Sequence, residues 1–233
     1  MPNLSRIAVL ICVFSVVCKT ASADVAYNVT LDTTPLVGHP AGPFYVYAAF
    51  TDGSGVDDAN NTVTLTDFNF GGGSALGGPV VFGGATGSLE TGVSITDSSF
   101  INLFSEQFAP GLQLSFNLDL TLNDDAGGTP DRLTFYILDS SGVALPTLAP
   151  SGDYFFGVDI HSAGPIFDAY GSDPSRTPTV GGAVSISAPS ITQISAVPEP
   201  STVWLLACTP LMIAALTLCS LRRRRLSSSP RKL

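Results

Sequence analysis

The chain has 233 residues and a formal charge of −9, with 12% charged residues against 45% hydrophobic ones. The basic residues gather at the two ends: between Asp24 and Ala196 eighteen carboxylates face only Arg132 and Arg176, a balance of −16, and lysine is absent. Nucleic acid is excluded as a partner, since binding it needs clustered Lys and Arg to displace counterions. Cys12, Cys18, Cys208 and Cys219 also lie near the ends. The central stretch therefore has no disulfide, no thiolate metal site and no cysteine nucleophile, even in an oxidising compartment. It is long enough to hold itself together as one domain with a packed core.

At the start, Arg6 precedes an apolar run over 7–18, and Ala21-Ser22-Ala23 supplies the small residues a peptidase needs. The expectation is a secretory signal peptide over 1–23, carried through the Sec translocon and cut by signal peptidase after Ala23, with Ala21 and Ala23 marking the site. The run is too short for a membrane span. Val17 before Cys18 is a poor match to a lipidation box.

From 24 to 196 the dominant period is two. Residues 112–123 alternate apolar and polar without a fault, which puts Leu112, Leu114, Phe116, Leu118, Leu120 and Leu122 on one face of a strand and polar side chains on the other. Such a strand belongs to an antiparallel sheet with one wet side. Weaker versions recur at 27–31, 44–50, 63–70, 89–95, 133–138, 154–160 and 180–186, separated by turn clusters such as Asp52-Gly53-Ser54-Gly55 and Gly71-Gly72-Gly73. Ser141-Gly142 between two apolar runs predicts a hairpin turn. The expected ectodomain, 24–196, is all-β: an antiparallel, jelly-roll-like β-sandwich. One segment predicts otherwise. Phe100, Leu103, Phe104 and Phe108 fall at helical spacing, with Asp97 or Ser98 as a cap and Pro110-Gly111 as a stop, so a short helix is expected there.

Catalytic motifs are missing. There is no Gly-x-Ser-x-Gly elbow, His-Glu-x-x-His, Gly-x-Gly-x-x-Gly or Walker loop. Only His39 and His161 offer imidazoles. His161 shares a strand face with Asp159 by alternation, but no serine is singled out as nucleophile, and His39 sits in a Gly-His-Pro loop. Glu90 and Glu106 are the only glutamates of the stretch, and most aspartates sit beside turn residues, so no acid–base pair for glycoside cleavage is defined. The chain is read as not an enzyme.

Calcium is the sharper reading of the acids, because it takes six to eight oxygens from flexible loops. Asp52, Asp57, Asp58 and Asn60, with Ser54 and Asn61, form the leading candidate loop, and Asn123, Asp124, Asp125 and Asp131 a second. Neither follows the helical calcium-loop order, and the same composition describes ordinary turns.

The end of the chain, 197–233, carries the most specific signal. The motif Pro198-Glu199-Pro200, within 197–201, stands just before an uncharged run over 203–221. As a helix that run covers roughly 28 Å, about one hydrocarbon core. Arg222, Arg223, Arg224 and Arg225 follow directly and open the basic tail, 222–233. Such a cluster stops transfer and stays cytoplasmic, which leaves 24–196 on the far side of a lipid bilayer. The arrangement resembles the PEP-CTERM sorting signal of envelope-bearing bacteria. That resemblance implies recognition by an exosortase and export towards the cell surface or extracellular matrix; a plain single-pass anchor is the other reading.

A second resemblance lies in the order of Asp67-Phe68, Gly71 to Gly73, Leu76-Gly77-Gly78, Gly83-Gly84, Thr96-Asp97-Ser98 and the runs at 100–104 and 112–120, continued by Gly127-Gly128-Thr129-Pro130-Asp131. Over roughly 27–160 this is similar to an ectodomain family common among PEP-CTERM proteins. The likeness implies a β-rich exported domain and brings no catalytic residues with it. The functional expectation is a non-catalytic surface or matrix protein with a structural or adhesive role. The alternative is a calcium-assisted module binding exopolysaccharide, for which tyrosines 45, 47, 136, 154 and 170 are the candidate contacts; most of them lie in apolar runs that read as buried, and clustering of them on one exposed face would favour it.

Overall fold

The computed structural model describes residues 24–53, 57–124, 128–178 and 180–194. The expected signal peptide, the Pro198-Glu199-Pro200 motif, the expected span and the arginines at 222–225 lie outside the described residues, as does Asp125. The elements are β1 (Asp24–Asp32), a 3-10 turn (Thr34–Leu36), β2 (Phe44–Thr51), β3 (Thr62–Asn69), β4 (Ser74–Phe82), β5 (Gly84–Ser88), β6 (Gly92–Thr96), β7 (Ile101–Ala109), β8 (Gln113–Thr121), β9 (Asp131–Leu138), β10 (Phe156–Ile160), β11 (Ile166–Ala169) and β12 (Ser190–Ile194). Two six-stranded sheets result, in the orders β12-β1-β8-β3-β6-β5 and β11-β10-β9-β2-β7-β4, and every strand pairing is antiparallel. Among the described residues the chain is all-β, with no α-helix.

The faultless alternation becomes β8, at the centre of the first sheet between β1 and β3. Leu114, Phe116, Leu118 and Leu120 point inward and are buried, while Leu112, one residue before the strand, is exposed. The inner faces of both sheets meet in one core. Phe116 of β8 lies 5.2 Å from Phe135 of β9 and 6.4 Å from Phe156 of β10, and the latter two rings stack at 5.1 Å.

Three expectations need correction. The predicted helix is strand β7, along which Asn102, Phe104, Glu106 and Phe108 are buried in strict alternation. A spacing of four suits both periods, 3.6 and 2, and pairing with β2 on one side and β4 on the other decides for the strand. Asp97 caps no helix; it directly follows β6, and its carboxylate receives the Asn61 N–H at 3.1 Å. The segment 180–186 is no strand, although Val184 and Ile186 are buried. Its backbone closes on Ser172 instead, whose Oγ receives the Ile186 N–H at 2.7 Å and donates to the Val184 carbonyl at 2.8 Å. The expected strand 89–95 is in fact a turn followed by β6. The turn at Ser141-Gly142 forms as expected, with the Asp139 carboxylate receiving the N–H groups of Ser141 and Val143 at 2.8 and 3.1 Å.

Glu106 is the acid that β7 turns inward. It is 3% exposed, and its Oε2 accepts the Leu89 N–H at 2.7 Å. Burial pushes its carboxyl upward, the Leu89 N–H opposes this, and the nearby Glu90 adds to it. The folded chain therefore holds this proton more tightly than the unfolded chain, so stability falls as pH rises from about 4.3 through the raised folded value. Glu106→Gln keeps an acceptor for Leu89 and deletes that titration. The expected outcome is a variant more stable than the parent at neutral pH, with the difference vanishing below about pH 4 in denaturant melts.

Candidate functional site

The outer faces of the two sheets are chemically unlike. On the first sheet the outward residues are polar: Thr62, Thr64 and Thr66 on β3, and Gln113, Ser115, Asn117, Asp119 and Thr121 on β8. They bond to one another, as where Asn28 donates to Asn117 at 3.1 Å and Asn117 to Asp67 at 2.8 Å. The second sheet turns aromatic and aliphatic groups outward. Alternation along β2 places Tyr45 and Tyr47 there, and the register sets Tyr47 opposite Tyr136 of β9. Tyr154 before β10 and Tyr170 after β11 continue the row. Successive rings meet edge to face, Tyr47–Tyr136 at 5.5 Å, Tyr136–Tyr154 at 6.2 Å and Tyr154–Tyr170 at 5.6 Å. Four of the five tyrosines singled out from the sequence thus form one ladder, and Tyr45 shares their face.

A charged network closes one side of the ladder. Arg132 of β9 reaches Asp159 of β10 at 2.6 Å and both oxygens of Asp168 of β11 at 2.8 and 2.9 Å. Its guanidinium carbon lies 5.4 Å from the Tyr154 ring centre, and the Tyr154 hydroxyl donates to Asp168 at 2.7 Å. Burial alone would lower the arginine, but Asp159 and Asp168 outweigh it and hold the group charged. Burial, with Asp168 as the hydrogen-bond acceptor, pushes the Tyr154 phenol up to about 12. Gly157 makes the arrangement possible: a Cβ there would come within 2.2 Å of the Arg132 Nη2 and 2.5 Å of the Asp168 carboxylate. Beside the network a recess of about 390 Å³ opens between Thr51, Gly53, Phe100, Pro130, Arg132 and Thr134.

The residues read as calcium ligands are only partly brought together. Asp52 is fully buried, and its Oδ2 accepts the Asp57 N–H at 2.6 Å. Asp57 and Asp58 are exposed, and Asp58 takes the N–H and side-chain amide of Asn60 at 3.3 and 3.1 Å. The two candidate loops do meet, since Asn123 donates to the Asn60 carbonyl at 2.7 Å and Gly53 donates to Asp131 at 2.8 Å. Among the described residues no three Asp, Glu, His or Cys side chains are grouped as a metal centre. Asp159 is engaged by Arg132, and His39 accepts the Ala41 N–H at 3.1 Å, as a loop histidine does.

A second, larger cleft of about 530 Å³ runs along the open edge between the sheets, with Phe68, Phe70, Asp67 and Glu90 among its walls. Phe68 and Phe70 stack at 6.2 Å, and the Asp67 carboxylate is held by Asn117.

Sequence reasoning missed Arg132 as an organiser. The available signal was its rarity: it is one of two basic residues between 24 and 196. No family model, no curated protein and no solved structure matches the chain.

Tyr154→Phe deletes the phenol donor to Asp168 while Arg132 still serves that carboxylate. The expected loss is about 1 kcal/mol in denaturant unfolding, with the fold unchanged.

Proposed function

We propose that this chain is an exported, non-catalytic cell-surface or matrix protein of jelly-roll-like build, delivered by a PEP-CTERM tail and adhering to neutral polysaccharide through the outer face of its second sheet. The observation that carries the reading is the tyrosine ladder. A sheet face turned to water is ordinarily polar, as the first sheet's is, whereas this one presents the half-buried rings of Tyr45, Tyr47, Tyr136 and Tyr170, which combine an apolar body with a hydroxyl, around a buried Tyr154. Sugar rings need that combination: flat C–H faces stack on aromatic surface, and hydroxyls bond to fixed polar groups such as the Arg132–Asp168 pair at the ladder's side. Acidity narrows the class. A stretch carrying −16 repels polyanions, so uncharged polysaccharide is the favoured partner. The jelly-roll part of the reading is supported by the neighbour order β1-β8-β3-β6 in one sheet and β2-β7-β4 in the other.

Pull-down of the full-length protein with insoluble neutral polysaccharides, and a glycan array, test the adhesive part. The parent is expected to bind, and the double variant Tyr47→Ala, Tyr136→Ala to bind about tenfold more weakly for the loss of two aromatic contacts. Absence of binding by the parent to every neutral glycan overturns it. The delivery part has its own test. Replacing Pro198, Glu199 and Pro200 by alanine leaves the apolar run untouched and is expected to block tail processing, seen as a persistent full-length band. Unchanged maturation would reduce the tail to a plain anchor.

A further inference from the structure

Two edge strands, one from each sheet, come from a single uncharged run. Residues 68–89 hold no Asp, Glu, Lys, Arg or His. Within that run β4 is the outermost strand of the second sheet and pairs only with β7, and β5 is the outermost strand of the first and pairs only with β6. An edge strand is ordinarily guarded by charged side chains, because its open N–H and C=O row pairs with any strand that arrives. The β4 edge has no such guard. Val80 is 71% and Phe82 62% exposed, and Leu76 and Val81 of the same strand and Ile101 of β7 are exposed as well. Large apolar side chains gathered in this way mark a contact surface.

The register places the patch. Val80 stands opposite Ser105 of β7, Ser105 opposite Tyr47 of β2, and Tyr47 opposite Tyr136 of β9. One row on, Phe82, Leu103 and Ala49 line up in the same way. Val80 and Phe82 therefore belong to the outer face of the second sheet, the face of the tyrosine ladder, while Val81, opposite buried Phe104, turns to the other side.

Charge decides what covers it. Between 24 and 196 the chain carries −16, so two copies repel wherever their acids face each other. A basic partner gains nothing from an uncharged edge and is drawn to the acids instead. At β4 two copies approach with no like charges opposed. A two-fold axis perpendicular to the sheet sets β4 antiparallel to its own copy, the polarity of every pairing in both sheets.

We propose that two copies of this chain associate through β4, pairing Val80–Phe82 across a two-fold axis and covering Val80, Val81, Phe82 and Ile101. The two six-stranded second sheets then continue into each other, with both tyrosine ladders on one outer face. Gly77-Gly78-Pro79 keeps the contact short, since the register with β7 breaks there and Pro79 has no N–H to give. Each copy has one β4 edge, so the assembly closes at two. The contact stands without the polysaccharide reading.

The test is sedimentation equilibrium of the full-length protein in density-matched mild detergent over a concentration series. The parent is expected to be a reversible dimer. Val80→Glu and Phe82→Glu each set an acid against its own copy and should raise the dissociation constant at least about tenfold. Leu148→Glu, at an exposed side chain whose backbone bonds to Gly171 beyond β11 at the sheet's far edge, leaves it unchanged. Because a substituted strand can misfold, amide exchange of the parent is followed alongside, and the N–H groups of 80–82 should exchange more slowly as concentration rises. A parent that stays monomeric throughout the series overturns the proposal. A dimer that persists in both glutamate variants does so too, by moving the contact elsewhere, the tail included, as does exchange at 80–82 that ignores concentration.

Discussion

The contact of Phe116 with Phe135 and Phe156 joins two sheets that share no strand. With no cysteine in the stretch, the sheets are held by apolar burial across this interface, and aromatic rings bury more surface per residue than any aliphatic alternative. Phe116 sits on the central strand of one sheet, and Phe135 and Phe156 on neighbouring strands of the other. The strands whose inner faces meet there, β9 among them, carry the tyrosine ladder on their outer faces.

Charge is the second constraint. The stretch 24–196 has only two arginines, and both are held in fixed pairs: Arg132 on the outer face, and Arg176 bidentate to Asp153 at 2.7 and 2.8 Å. Most remaining acids are turned to water or to backbone N–H groups, as Asp139 is at its turn and Asp173 is to Ser175 at 2.9 Å. Asp97 is the exception, since its buried Oδ1 receives no hydrogen bond.

How much of this was legible varies by element. β8 was readable because it lies at the centre of a sheet with one face wet, so its pattern is complete. β7 was not, because Phe100, Phe104 and Phe108 are spaced by four, a distance at which helix and strand agree; only its partners β2 and β4 separate the two. β4 left little trace, since it is an edge strand interrupted by Gly77-Gly78-Pro79, where its register with β7 shifts, and its side chains are nearly all exposed. The tyrosines were visible as candidates, but their runs looked buried; it takes the register of β2 against β9 to set Tyr47 beside Tyr136, and Tyr154 is buried between that pair and Tyr170. The loops at 52–61 and 123–131 were read as separate acid clusters. Nothing local in either announces that Asp97, distant from both in sequence, receives the Asn61 N–H.

β12 has a mechanical consequence. It is the edge strand of the first sheet, it pairs only with β1, and it is the last described element before the chain runs on towards the tail. Of its five side chains only Ile191 packs against the core; the other four are exposed. Any tension that reaches the domain through its C-terminal connection is borne first by this strand, and peeling it off costs backbone bonds but little buried surface. Release would add about 17 Å of slack, from five residues at about 3.4 Å each, while β1, β8 and the core stay closed. The domain thus ends its described part on a short strand that can lengthen without opening the core.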